Sequence, residues 1–139
     1  MEQNKIVLFQ EKNIPEWKKR GVKEGQEYSI LTAEIAKATF GLTPSEHKNL
    51  KGLEKQNLRD HMTNLELIFT MLGEEVTRTY AVDDKAQGFI ENHDAARKGG
   101  NAAGEARKRL EKVTGKPVVS NNNFLNGFIE DDKPLLDEK

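Results

Sequence analysis

NLRDHMTNLELIFTMLGEEVTRTY, residues 57–80, carries the strongest pattern in the chain. Leu65, Ile68, Phe69, Leu72, Val76 and Tyr80 recur at steps of three and four, the spacing that puts side chains on one face of a helix. Thr63 and Glu66 stand as T-x-x-E at its start. The threonine hydroxyl of such a box takes the amide three residues on, and the glutamate returns to the threonine amide. Gly73 interrupts the run at a cost of about 1 kcal/mol relative to alanine, tolerable where a neighbour packs close. The pattern predicts a central core helix over 63–80, with Phe69 and Leu72 among its buried contacts.

Around this stretch the start and stop signals repeat. Pro15 suits the first turn of a short helix over 16–20 that carries the only tryptophan, Trp17. Tyr28, Leu31, Ile35 and Ala38 stripe a helix over 28–40, and Gly41 is placed to end it. Thr43-Pro44-Ser45-Glu46 opens the next with a cap, a proline at the first helical position and a closing glutamate, and Leu50 and Leu53 are its apolar contacts. Beyond the central helix, Asp83 or Asp84 can cap a helix towards Lys98 with Ala86, Phe89, Ile90 and Ala96 as contacts. Gly99-Gly100 should break it. A last helix then carries Ala103, Ala106, Leu110 and Val113, stopped by Gly115 and Pro117. Val118-Val119 reads as a short strand. The expectation is an all-α bundle of five or six short helices over 15–120. A β-prone arm containing Ile6-Val7-Leu8-Phe9 precedes it over 1–14, and a polar, acidic, mostly disordered tail follows over 121–139.

Composition excludes several function classes. A chain of 139 residues can bury a core without disulfides or metals. It has no cysteine, which removes thiolate nucleophiles, iron–sulfur clusters and cysteine-ligated zinc and fits a reducing cytoplasm. No apolar run nears the roughly 20 residues of a membrane span. The apolar patch at the start is flanked by acids and makes a poor signal peptide. The three histidines, His47, His61 and His93, lie far apart in no metal-ligand spacing and read as surface or capping residues. The paired acids Glu74-Glu75 and Asp83-Asp84 read as helix-end or solvated groups. No serine stands in a nucleophile-elbow setting. The reading is no enzyme, no metal and no cofactor.

Charge is uneven along a chain of net charge −1. The segment 63–94 holds Glu66, Glu74, Glu75, Asp83, Asp84, Glu91 and Asp94 against Arg78 and Lys85. The segment 95–118 holds Arg97, Lys98, Arg107, Lys108, Arg109, Lys112 and Lys116 against Glu105 and Glu111. Within it, Gly99-Gly100-Asn101-Ala102-Ala103-Gly104 reads as a helix–helix joint, or secondarily as an anion site at a helix start. Two features bear on nucleic acid. Helix, glycine turn, helix over 28–55 has a helix-turn-helix outline whose second helix would present Lys48 and Asn49. The bases Arg97, Lys98, Arg107, Lys108 and Lys112 can neutralise phosphates, giving weak, salt-sensitive binding without sequence preference.

Four segments in order, EWKKRGVKEGQEYSILTAEIAKATFGLTPSEHKNLKGL, NLRDHMTNLELIFTMLGEEVTR, DKAQGFIEN and AARKGGNAAGEARKRLEKVTGKPVVSNNNFL, resemble the carboxy-terminal region of the DNA-damage-inducible protein D and prophage-antirepressor family. The resemblance covers residues 16–125. The opening NKIVLFQEKNI is similar to the first strand of that family's amino-terminal BRO domain, the rest of which is absent here. The resemblance implies a bacterial, cytoplasmic, non-enzymatic regulator tied to the DNA-damage response or to phage repressors. The partner it implies is a protein, a repressor or a DNA-repair protein, with homo-oligomerisation as a further reading. It carries no functional residue over. The candidate nucleic-acid or partner surface is therefore Arg97, Lys98, Arg107, Lys108, Lys112, Lys48 and Asn49, read from the residues alone.

Overall fold

Local capping chemistry sets the helix starts. The computed structural model describes residues 16–121. A helical turn over 16–19 leads to α1 (Gln26–Phe40), α2 (Pro44–Leu50), a 3-10 turn (Arg59–His61), α3 (Asn64–Asp83) and α4 (Gly88–Thr114). Both expected capping boxes form, Thr43 with Glu46 before α2 and Thr63 with Glu66 before α3. Gly41 and Gly115 end α1 and α4 in the left-handed conformation, with φ of 76° and 74°. The fold is all-α. The β-prone arm and all of the acidic tail except Asn121 lie outside the described residues.

The joint expected at Gly99-Gly100 is absent. α4 runs unbroken through it, and the reason is steric. A Cβ at Gly99 would stand 2.2 Å from Thr77 Oγ1 and 2.4 Å from the Thr77 backbone nitrogen. One at Gly100 would meet Ala38 Cβ at 2.5 Å, and one at Gly104 would meet the Ala38 carbonyl oxygen at 2.3 Å. A Cβ at Gly73 on α3 would likewise stand 2.7 Å from Thr39 Oγ1 and 3.5 Å from Ala103 Cβ. The glycines let α4 lie backbone-close to α3 on one side and α1 on the other. Thr77 opposite Gly99 and Gly73 opposite Ala103 make α3 and α4 antiparallel. The contacts of Gly100 with Ile35 and of Gly104 with Ala38 and Thr39 make α1 run in the same direction as α4. Dispersion over this close contact offsets the helix penalty of about 1 kcal/mol per glycine. The phosphate-site alternative fails with the joint, because these amides lie inside a helix rather than at its free start.

The second correction concerns α3. Its buried face is Glu66, Leu67, Phe69, Thr70, Gly73, Glu74, Thr77 and Ala81. Of the stripe expected to be core, only Phe69 is buried. Leu65, Ile68 and Leu72 are 45%, 53% and 38% exposed, Tyr80 is exposed, and Val76 is half-buried. The buried polar groups satisfy themselves. The hydroxyls of Thr70 and Thr77 donate to the carbonyls of Glu66 and Gly73, at 2.8 and 2.7 Å, as Thr39 does to Ile35 at 2.7 Å. Small, self-satisfied residues let α3 approach its neighbours, which a row of leucines would prevent.

The apolar core is correspondingly divided. Trp17, Val22, Leu31, Ile35 and Ala96 form one cluster, with Tyr28 and Phe89 against it. Phe40, Phe69 and Val118 form another, with Leu110 and Val119 against it. Ala81, Ala86 and Ala95 close the α3–α4 turn. The 16–21 segment is tied to that turn by the Gly88 amide donating to the Arg20 carbonyl at 2.7 Å. Leu53 is buried as expected, but Leu50, Ile90, Ala106 and Val113 are exposed. Asp83 belongs to α3 and Asp84 follows it, while the extended residue before α4 is Gln87. Val118-Val119 forms no strand. It is an irregular segment that packs by its side chains.

Adding a methyl group to a helical glycine normally stabilises. Here Gly99→Ala and Gly104→Ala should each destabilise by about 2 kcal/mol, because overpacking against backbone outweighs the propensity gain. Asn101→Ala, exposed on the same helix, should be neutral or slightly stabilising. Phe69→Ala should cost about 3–5 kcal/mol and Leu72→Ala less than about 1 kcal/mol. Urea unfolding checks all five. A stabilising Gly99→Ala would contradict the close crossing.

Candidate interaction surfaces

Four bonds converge on the Glu66 side chain. One carboxylate oxygen accepts the Thr63 amide at 2.7 Å and Lys51 Nζ at 2.8 Å. The other accepts the Ser120 amide at 2.8 Å and lies 3.1 Å from His47 Nε2. Lys51 Nζ also donates to the Ser120 carbonyl at 2.8 Å. The Phe40 ring meets the His47 ring edge-on, centroids 5.3 Å apart. Glu66, His47 and Lys51 are all at most 2% exposed. Burial alone would push the Glu66 carboxyl up, but the bonds from His47, Lys51, Ser120 and Thr63 outweigh it and hold its pKa below the ordinary carboxylate value. Both oxygens of the carboxylate are engaged within the cluster. It joins α2, the start of α3 and the segment after α4.

A second buried ion pair, Arg59 with Glu74, ties the 3-10 turn to the middle of α3. Burial pulls the Arg59 guanidinium down to about 10, so it stays charged at neutral pH. Glu74 is thus no solvated helix-end acid, contrary to expectation, and its neighbour Glu75 pairs with Arg78 at 3.1 Å on the surface. The histidine reading is corrected too. His47 and His61 are buried, and only His93, 3.5 Å from Glu34, lies near the surface. Sequence gave little sign of this: the clue was Lys51 standing four residues after His47 with the Thr63–Glu66 box following, which places one acid opposite two basic groups.

The expected surface residues do not form one patch. Lys48 and Asn49 lie on α2, the other five on α4. Arg107 is structural: its Nε donates to the Thr39 carbonyl at 2.7 Å and its Nη1 pairs with Glu111 at 3.0 Å. Arg97 pairs with Asp94. Lys98 lies 3.2 Å from Asp94, 3.8 Å from Asp84 and 5.7 Å from the centre of the Tyr80 ring. Asp94, held low by bonds from Lys98 and Arg97, keeps both bases partly neutralised. Lys108 and Lys112 are exposed on α4.

Two further surfaces stand out, and of that set only Lys48 belongs to one of them. One is the outward row of α3, Leu65, Ile68, Leu72, Val76 and Tyr80. From Leu65 to Tyr80 it extends roughly 22 Å at 1.5 Å per residue. The other is a cavity of about 520 Å³ between α1, α2 and the 55–62 segment, with Arg59 and Glu74 in its lining. No described helix is long and apolar enough to cross a membrane. Comparison with known protein families, curated proteins and solved structures finds no match.

Glu66 makes the fold acid-sensitive in a defined window. A carboxyl whose pKa is lower folded than unfolded adds stability above its ordinary value near 4.5, and that share is lost as pH falls from there through the folded value. Glu66→Gln should destabilise at neutral pH by about 3–5 kcal/mol, leaving Lys51 buried without its counter-charge. Its stability should also fall less steeply than wild type below about pH 4.5. Urea midpoints at a series of pH values test this, and parallel pH profiles would contradict it.

Proposed function

We propose that this chain is a non-enzymatic regulatory module of the DNA-damage-inducible protein D and prophage-antirepressor kind, acting by binding a protein partner along α3. The observation that supports this most is the row Leu65, Ile68 and Leu72, each more than a third exposed on the best-ordered apolar repeat of the chain. Leaving such a contiguous apolar row in water is costly, and rows of this kind mark interaction sites. Anchors at steps of three and four over about four turns suit an amphipathic helix laid alongside. The partner class, a repressor or a DNA-repair protein, comes from the sequence resemblance.

Binding nucleic acid directly has less support. Of the six α4 bases, Arg97, Lys98 and Arg107 are engaged by carboxylates or by a backbone carbonyl. The remaining three, Lys108, Arg109 and Lys112, give few phosphate contacts.

Ile68→Asp with Leu72→Asp changes exposed positions and should leave the helical circular dichroism intact. The wild type should recover a protein from cells after DNA damage. The purified pair should bind, and the double variant should weaken that binding at least about tenfold, some 1.4 kcal/mol. Equal binding by the variant would overturn the reading. Light scattering separates a second copy of the chain: self-association lost in the variant, with no recovered protein, would assign the face to oligomerisation.

A further inference from the structure

The cavity between α1, α2 and the 55–62 segment is independent of the α3 row and has a chemistry of its own. Its volume, about 520 Å³, falls within the range of small-molecule sites. Ile35, Ala36, Pro44, Leu58 and Met62 give it apolar walls. Its charged lining is Lys48, Lys55 and Arg59 against one acid, Glu74, which Arg59 already holds. The polar atoms left for a ligand are biased one way. The Gln56 side-chain oxygen accepts the Glu54 amide at 2.7 Å, and the Asn57 side-chain oxygen accepts the Arg59 amide at 2.9 Å. Each amide group therefore has its NH2 as the uncommitted end. The hydroxyls of Thr39 and Thr70 donate to helix carbonyls. What remains is two ammonium groups and two amide NH2 groups, all donors, and the Thr32 hydroxyl, which can donate as well as accept, over an apolar floor.

A ligand that satisfies donors without competing ones is an acceptor-only anion, and the floor requires an apolar body behind it. We propose that this cavity binds a small amphiphilic organic anion, an aliphatic or aromatic body ending in a carboxylate or a phosphate. Lys48 and Lys55 face the anionic end, with Gln56 and Asn57 completing its hydrogen bonds. Ile35, Leu58 and Met62 cover the body. The buried Arg59–Glu74 pair fixes the 55–62 segment against α3, so the donors are held in place before a ligand arrives.

Sodium octanoate, octyl phosphate, octylammonium chloride and sodium acetate, each titrated into the 15N-labelled full chain, test this by amide chemical shifts. Octanoate or octyl phosphate should give saturable shifts centred on Ala36, Lys48, Asn57 and Arg59. The one saturating at lower concentration identifies the head group. Octylammonium, with the same body and opposite charge, and acetate, with the charge and no body, should bind at least about tenfold more weakly. Lys48→Glu with Lys55→Glu, both outside the core, should weaken the anion at least about tenfold with the amide spectrum otherwise retained. Ile68→Asp with Leu72→Asp should leave it unchanged, so the cavity and the α3 face are read separately. Failure of both octyl anions to saturate in the millimolar range, equal binding of octylammonium, or no effect of the lysine changes would overturn the proposal.

Discussion

One buried carboxylate holds the layout together. Glu66 closes the capping box that starts α3, pairs with His47 and Lys51 on the short α2, and takes the Ser120 amide beyond α4. Desolvating such a charge is expensive, and it is tolerated only because four bonds converge on it. Without them α2 has little to fix it: its seven residues could not persist alone in water. Arg59 and Glu74 repeat the device about two turns further along the buried face and pin the 55–62 segment. Ion pairs thus do for the irregular half of the fold what glycine contacts do for the regular half.

This use of α3 explains its outward row. The inner face is committed to Glu66, Glu74, small residues and back-bonded threonines, because α4 comes within backbone contact of it at Thr77 and α1 packs its side chains against Gly73. Phe69 alone among the large residues of the repeat turns to the core, where it meets Phe40 and Val118. Leu65, Ile68 and Leu72 are left outside. Their exposure follows from the way the interior is built, and the proposed partner face rests on that.

Much of the fold was legible in sequence, and the illegible parts share a cause. The helix starts at Pro44 and Asn64 and the stops at Gly41 and Gly115 were readable, because caps act within a few residues of chain. The identity of the buried face of α3 was not. Hydrophobic periodicity assumes that apolar means inside, and Thr70, Gly73, Thr77 and Ala81 bury small or self-bonded groups instead. Their own spacing of three and four, matched by Gly99, Gly100, Ala103 and Gly104, was the available sign of a close crossing. Glycine's low helix propensity also put a break at Gly99-Gly100, where close contact with Thr77 and Ala38 outweighs it. The candidate site suffered likewise. Charge counting found Arg97, Lys98 and Arg107 but could not see Asp94, Asp84 and the Thr39 carbonyl holding them. The cavity joins segments distant in sequence, and nothing local announces it.

The orientation of α3 is the claim on which the packing and the proposed partner face both rest. The chain has no cysteine, so single cysteines at positions 68, 72, 70 and 77 report it directly by their rate of thiol labelling under native conditions. Thr70→Cys and Thr77→Cys are close to isosteric, and Ile68→Cys and Leu72→Cys alter exposed positions. The expected result is fast labelling at 68 and 72, with 70 and 77 slower by about a hundredfold or more because they react only on opening of the fold. Fast labelling at 70 and 77 with protection at 68 and 72 would turn the helix over and contradict the account.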